Sequence, residues 1–431
     1  MNVGYIETTP LNEISYRRSR VTDPSTTESC DVVVVGGGPA GLTAAAAAAG
    51  AGANTVLFER QHEIGYPIHT SGGSWIQDMR EFDIPERLYH PVNHIVFLSP
   101  TEELDICCRD IGCVVDVRGL YQYLAERAIA AGATVRLRHR VDRPLTDSGR
   151  VIGVGFRDHT GQALQLRAPV TIDASGYSRT VSNRSGLAPE FHRYGFGAEY
   201  DLYAPQYPQD TTYLIVGSQL APHGYAWLFA RGKGRVRVGV GVIHPDTSDD
   251  ARVYLRRIMR LPRLAAQLRG ASPVEYHTGL FPAEPPAKRL SAPGLLLAGD
   301  SGAQGSTFLG EGIRFAMHAG RMAGEAATST ASIKSEGSVE ALAGYDRRWR
   351  KQFGRDMDLS YFLNRRIATF SDDRWDGALR TLGKLSDEQV LQLLRCDFTP
   401  KLLLGMTARA PSILAKSSRL LVQGALGRSK S

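Results

Sequence analysis

Residues 31–59 constrain this chain more than any other stretch. Asp31 is followed by four valines, Val32 to Val35, and then by Gly36-Gly37-Gly38-Pro39-Ala40-Gly41. An alanine-rich run leads to Gly50, and a second apolar run, residues 54–58, ends on Glu59, eighteen residues after Gly41. A short, wholly apolar β-branched run is the pattern of a strand buried on both faces of a parallel sheet, and alanine is the best helix former. The order is therefore strand, glycine turn, helix, strand. Within the turn, Gly36 permits a tight bend, Gly38 lets the backbone approach a pyrophosphate, and Gly41 allows close helix–strand packing, with the phosphates on the helix N-terminus. Glu59 is placed to accept a hydrogen bond from a ribose hydroxyl. A glycine-rich turn alone would fit any loop, but strand, helix and terminal acid together point to dinucleotide binding.

With 431 residues the chain exceeds the roughly 250–300 at which single cores stop growing. At 42% apolar and 22% charged it is neither disordered nor fibrous. Residues 1–29 lack apolar periodicity and are expected to form a flexible arm. A helix over 119–131 and a strand over 134–137 continue the alternation. Residues 151–156 and 163–166 flank a turn as a hairpin, and 169–173 return as a strand. Aromatic and β-branched residues at period two mark 190–282 as mostly antiparallel sheet, and the pattern turns helical after 336. The expected fold is α/β: a Rossmann-type nucleotide-binding domain (30–75, 112–185 and 285–335) with an inserted, mostly antiparallel β-sheet substrate domain (76–111 and 186–284). A C-terminal helical region (336–431) completes it.

Composition excludes several functions. Fifty-one Lys and Arg against 44 Asp and Glu give a mild, dispersed excess of +7, unlike the clustered charge of a nucleic-acid reader. Cys30, Cys107, Cys108, Cys113 and Cys396 show no C-x-x-C spacing and read as reduced thiols of a cytoplasmic protein, with Cys107-Cys108 on a half-buried strand. No span, zinc motif or nucleophile elbow is present in the sequence, so no metal is expected.

A second apolar strand, residues 295–297, delivers Gly299-Asp300 to the carboxyl edge of the sheet, where ligands gather in open α/β folds. Asp300 there can accept from a polyol chain. Ten residues on, Gly310-Glu311-Gly312-Ile313 opens a helix over 314–327 whose amides can stabilise negative charge on a reduced ring. Gly-Asp alone is an ordinary strand end; paired with the first motif it becomes a flavin signature and implies FAD. A third segment, Ile172-Asp173-Ala174-Ser175-Gly176-Tyr177-Ser178-Arg179, is again a strand ending in Asp and a glycine turn.

These three segments in this order resemble the FAD-dependent reductases and aromatic monooxygenases. Within them the chain is most similar to the geranylgeranyl reductase family, from about residue 30 to 420. Supporting stretches are Glu59-Arg60-Gln61-His62-Glu63-Ile64-Gly65-Tyr66-Pro67, Pro222-His223-Gly224-Tyr225-Ala226-Trp227-Leu228-Phe229, and the helical extension with Tyr345 to Trp349. The resemblance implies FAD contacts at Gly36, Gly38, Pro39, Ala40, Gly41, Glu59 and Arg60. Further contacts are implied at Arg118, Asp173, Gly299, Asp300, Gly310, Gly312 and Ile313. Tyr225, Trp227 and Phe229 alternate and share one strand face; such a face can be plain core, but the resemblance makes it, with His69, the substrate wall. Thr70 stands where the family usually has cysteine, and Gly305-Ser306-Thr307-Phe308-Leu309 where an Asn-Pro often precedes the Gly-x-Gly. Thr70, Ser71, Tyr225 and Trp227 are the candidates lining the reacting centre.

The expected reaction is hydride transfer from reduced FAD to a carbon–carbon double bond of an apolar, isoprenoid or lipid-like substrate. The rival readings are a flavin monooxygenase or epoxidase on the same scaffold and a non-catalytic flavin-binding protein. No second G-x-G-x-x-G appears, so the reductant is an external donor, NAD(P)H or a redox protein. His69, His223 and His277 are candidate proton carriers or structural histidines. The segment 401–431 carries Lys401, Arg409, Lys416, Arg419, Arg428 and Lys430 with no Asp or Glu, between apolar clusters. It reads either as a packed helix with a solvated basic face or as a peripheral contact with an anionic membrane surface.

Overall fold

A computed structural model describes residues 28–188, 190–329 and 338–409. Its three sheets follow from three different patterns of burial.

The first sheet has six strands in the order Ser291–Ala292, Leu295–Leu297, Val170–Asp173, Val32–Val35, Thr55–Phe58, Thr134–Arg136. All neighbours are parallel except the first pair. The central strands are buried at every position, as expected of largely apolar strands covered on both faces, with Thr55, Thr171 and Asp173 buried among them. Helix α1 is Pro39–Gly50, and the helix Ile313–Ala327 packs against it. Glycines set how closely: a Cβ on Gly320 would fall 2.1 Å from the Ala40 carbonyl oxygen, and one on Gly324 2.4 Å from that of Ala44. Small residues on both helices let the backbones touch, bringing two helix N-termini to one edge of the sheet.

The second sheet has four strands, Glu28–Ser29, Ala163–Arg167, Arg150–Arg157 and Arg140–Asp147. The expected hairpin is present, its turn held by Asp158 Oδ1, which accepts from the Thr160 and Gln162 amides at 2.9 and 3.0 Å. Glu28–Ser29, taken as the end of the arm, pairs in parallel with Ala163–Arg167 and is fastened by Arg136 and Glu28. Residues 1–27 of the arm lie outside the described residues.

The third sheet has eight strands in the order Ser272–Pro282, Tyr194–Tyr203, Arg235–His244, Tyr225–Gly232, Thr211–Ile215, Tyr89–Leu98, Glu103–Val115, Gly73–Trp75. It is antiparallel except where Thr211–Ile215 meets Tyr89–Leu98. On Glu103–Val115, Cys107 is exposed and Cys108 buried, as alternation along a strand demands.

Between residues 338 and 409 the chain is mainly helical: Val339–Trp349, a π turn at Arg350–Gly354, then Arg355–Ile367, Asp372–Leu382, Asp387–Leu394 and Pro400–Arg409. One of these helices, Asp372–Leu382, is tied down by its acids. Asp376 accepts from Ser99 Oγ at 2.5 Å and Thr101 Oγ1 at 2.7 Å, and Asp372 Oδ1 accepts from the Ser218 amide at 2.7 Å. Ser386 and Gln389 form a capping box on Asp387–Leu394. Among the described residues, no helix is long and apolar enough to cross a membrane.

Candidate functional site

One cavity of about 710 Å³ joins the first sheet to the third and reaches the C-terminal helices. At one end lie Gly38, Pro39 and Ala40 at the start of α1, with Gly299, Asp300, Gly310, Gly312 and Ile313 beside them. Neither α1 nor Ile313–Ala327 has a side-chain cap or an acid in its first turn, so both offer uncapped amides and positive dipole ends.

The three motif glycines are not alike. Gly36 sits at φ +110°, and a Cβ there would lie 2.4 Å from the Ala174 carbonyl oxygen. A Cβ on Gly41 would lie 1.9 Å from Gly36 O. Both are demanded by the protein's own backbone. A Cβ on Gly38 meets nothing within 4 Å, so its bareness leaves open space at the helix terminus, where a pyrophosphate would lie. Asp300 faces the same space, and burial pushes its carboxyl up to about 6. An anion cradle beside a desolvated acceptor is what the diphosphate and polyol of FAD require; the residues present fit that group.

The other end is built by the register of the third sheet. Three rows cross four of its strands. The first is Tyr225, Gly241, Gly197, Gly279: one ring beside three glycines, all lining the cavity. At Gly197 the missing side chain leaves open space, whereas a Cβ on Gly279 would fall 2.2 Å from the His69 carbonyl oxygen, so that glycine admits the loop above. The second row is Trp227, Gly239, Glu199, His277. Because Gly239 has no side chain, the indole lies across it; a Cβ there would fall 2.3 Å from the Trp227 ring. Trp227 Nε1 thereby reaches Glu199 Oε2 and donates at 3.0 Å, while Glu199 Oε1 and His277 Nδ1 are 3.1 Å apart.

The third row is Phe229, Arg237, Asp201, Glu275. Arg237 is fully buried, paired with Asp201 at 3.3 Å, and its Nη1 donates to the Ser71 carbonyl at 2.5 Å. That bond fastens the loop carrying His69, Thr70 and Ser71 over the sheet, and all three line the cavity. The Tyr225 hydroxyl donates to the Leu309 carbonyl at 2.5 Å, and burial raises its pKa above that of a free phenol. The far wall carries Leu363, Leu379, Leu382, Val390, Leu393 and Leu394 from three C-terminal helices, with Arg366, Asp373, Arg374 and Trp375 also lining it.

Some expected site residues lie elsewhere. Phe229 packs on Gly73 and lines a separate cavity of about 90 Å³, together with Thr70, Ser71, Tyr225 and Glu311. Asp173 is turned fully inward. Its Oδ1 accepts from the Ser175 amide and hydroxyl at 3.1 and 2.6 Å, and its Oδ2 from the Val181 and Ser182 amides at 3.1 and 2.7 Å, so it holds its own turn rather than facing the cavity. Arg118 is half-exposed and paired with Glu63 at 2.5 Å, and Arg60 is exposed. Glu59 ends its strand beside the glycine loop and accepts from the Gly37 and Gln61 amides, each at 2.7 Å. His223 and His277 both line the cavity, His223 exposed and His277 buried.

Sequence reasoning passed over Glu199, Tyr121 and the strand glycines Gly197, Gly241 and Gly279, all of which line the cavity. The glycines left a signal: Gly195-Phe196-Gly197 and Gly239-Val240-Gly241 repeat at period two, putting the bare positions on one face of adjacent strands. Glu199 left none, since its partners are 28 and 78 residues away.

A family model for FAD dependent oxidoreductases matches residues 31–188, and a model of the geranylgeranyl reductase catalytic domain matches residues 195–279. Digeranylgeranylglycerophospholipid reductase from Methanothrix thermoacetophila is 33% identical, over 80% of this chain and 89% of its own. Digeranylgeranylglycerophospholipid reductase 2 from Methanothermobacter thermautotrophicus is 31% identical, over 85% of this chain and 95% of its own. The crystal structure of a geranylgeranyl bacteriochlorophyll reductase-like protein from Thermoplasma acidophilum superposes with a TM-score of 0.82 at 24% identity, covering 92% of this chain and 100% of that one.

Proposed function

This chain belongs to the geranylgeranyl reductase family and is an FAD-dependent oxidoreductase, and from that premise we propose that it saturates carbon–carbon double bonds in the isoprenoid chain of a lipid. The observation that carries the reading is the continuous cavity, with an anion cradle at one end and a glycine-floored aliphatic channel at the other. A chain lying along that channel would have one double bond at the cofactor end while its remainder stays out of water. The relatives are named as reductases of such lipids, which favours reduction over oxygenation.

FAD, bound and reduced, supplies the hydride. The chain's residues do the rest. The α1 amides and bare Gly38 receive the pyrophosphate, Asp300 accepts from the ribityl hydroxyls, and Glu59 takes the ribose. The N-terminus of Ile313–Ala327, reached through Gly310 and Gly312, stabilises negative charge on the ring. Tyr225 and Trp227 wall the reacting bond, and Thr70 and Ser71 close it from above.

The reductant comes from outside, as the sequence holds one dinucleotide fingerprint. The basic segment 401–431 would bring the channel to an anionic lipid surface; residues 410–431 lie outside the described residues.

The test is anaerobic single turnover: flavin-loaded protein is photoreduced and mixed with a geranylgeranyl lipid. Products two hydrogens heavier per double bond, with reoxidised flavin, are expected. Hydroxylated or epoxidised products formed only in air would replace this reading with oxygenation.

A further inference from the structure

Adding hydrogen across a double bond takes a proton as well as a hydride, and aliphatic side chains provide none. Among the polar groups that line the cavity, the second row of the large sheet joins two of them to solvent. Glu199 and His277 face the cavity while 3% and 7% exposed. Glu199 Oε1 and His277 Nδ1 are 3.1 Å apart, and His277 Nε2 lies 2.9 Å from Glu275 Oε2. The Glu275 side chain is 43% exposed. A continuous hydrogen-bonded line therefore runs from solvent through a buried imidazole to a buried carboxyl on the cavity wall.

We propose that Glu199 is the proton donor of the reduction, a catalytic residue reloaded from solvent through His277 and Glu275; this rests on the reductase reading above. As one alkene carbon takes the hydride, the His277 imidazolium passes its Nδ1 proton to the Glu199 carboxylate, which delivers it to the other alkene carbon. The ring keeps its Nε2 proton against Glu275, and a solvent proton drawn in at that exposed carboxylate then restores the imidazolium. The two electrons come from the reduced flavin, the net proton comes from solvent, and no other reactant is consumed. The Trp227 N–H, 3.0 Å from Glu199 Oε2, and Arg237, 3.9 Å from Oε1, stabilise the carboxylate left behind.

Groups facing the line are disposed to keep it loaded. Burial by itself lowers the affinity of His277 for a proton, but Glu199 and Glu275 more than offset this, so its pKa stands above the ordinary imidazole value, against some opposition from Arg237. Arg237 is itself held by Asp201 on the neighbouring strand, and Arg235 lies 3.8 Å from Glu275. His69, from the loop above, is bound through Nδ1 to the Thr278 carbonyl at 2.9 Å. The imidazolium persists to higher pH than a free histidine, and the reserve empties as pH rises through the raised pKa.

The test uses full-length, flavin-loaded protein, photoreduced and mixed with a geranylgeranyl lipid, with flavin reoxidation followed across pH in H₂O and D₂O. Glu199→Gln keeps an acceptor for Trp227 and is expected to slow reoxidation by about 100-fold or more, in the range of lost general-acid catalysis, with flavin content unchanged. Glu275→Gln is expected to move the high-pH limb to lower pH, to lower the His277 pKa measured by NMR on the oxidised protein, and to be rescued by small buffer acids. Its solvent position keeps it foldable should Glu199→Gln lose flavin. A Glu199→Gln rate within about twofold of the parent, or an unmoved pH profile and His277 titration in Glu275→Gln, overturns the relay. Failure of the parent protein itself to reoxidise would instead strike the reductase reading.

Discussion

Both ends of the cavity are made with glycine, and at each end glycines serve two opposite purposes. At the cofactor end, Gly36 and Gly41 are bare because the protein's own carbonyl groups stand 2.4 and 1.9 Å from where a Cβ would be. At the substrate end, a Cβ on Gly197 has only ordinary contacts, the nearest heavy atom being 3.7 Å away, so this glycine serves the empty space beyond it. Gly38 belongs in function with Gly197 and in sequence with Gly36. The contrast separates glycines that let the chain fold from glycines that let it hold something.

Substitution should expose that division most sharply at the first motif. Gly38→Val is expected to fold with its melting temperature nearly unchanged and to bind FAD at least about 100-fold more weakly, roughly 2.8 kcal/mol. Gly41→Ala is expected to lose stability, by about 1–3 kcal/mol or more from overpacking. Flavin content and thermal unfolding of both purified proteins decide the matter. If Gly38→Val stays yellow at full occupancy, the cradle lies elsewhere.

A smaller effect is expected from Gly197→Leu, which projects a side chain into the channel. Flavin content should be unchanged, stability should stay within about 1 kcal/mol, and turnover on a geranylgeranyl lipid should fall by about tenfold, with less loss on a shorter prenyl chain. A parallel loss of flavin would mean that the two ends are not separable.

The smallest effect is a pH step at Asp300. Its carboxyl, pushed up to about 6 by burial, accepts best from the ribityl hydroxyls when ionised, so FAD affinity should rise as pH climbs through about 6. In Asp300→Asn the step should vanish. For the flavin-free protein the sign reverses. A raised folded pKa favours the protonated fold, so stability is greatest below the unfolded value and falls as pH rises towards 6. Calorimetry of FAD binding from pH 5 to 8 and melting curves of both apoproteins check the two signs.

Sequence alone determined the parts whose partners are close along the chain. The strand, glycine turn, helix and acid of residues 32–59 form one local unit, and its chemistry follows from backbone geometry that any such spacing imposes. The apolar run Leu295–Leu297 and the acid at Asp300 were legible for the same reason. The family resemblance supplied the aromatic strand, but not the fate of each ring: Tyr225 and Trp227 reach the channel, while Phe229 turns to a smaller cavity beside Gly73. Asp173 looked like a ligand because it ends a strand, yet four local donors from residues 175, 181 and 182 hold it inward.

The substrate end was decided by tertiary structure. Glu199 becomes a neighbour of Trp227 and His277 only when Tyr194–Tyr203 pairs with Ser272–Pro282 on one side and Arg235–His244 on the other, in one particular register. A slip of one residue would turn Glu199 to the opposite face and fill the channel with the side chains that now point away. Register is a property of strands paired across long stretches of chain, set by which faces the whole core buries, and no local spacing encodes it. The far wall comes likewise from helices of residues 355–394, which share the sheet's apolar core and are tied to distant parts of the chain, as when Asp376 and Asp372 bond residues more than 150 positions earlier.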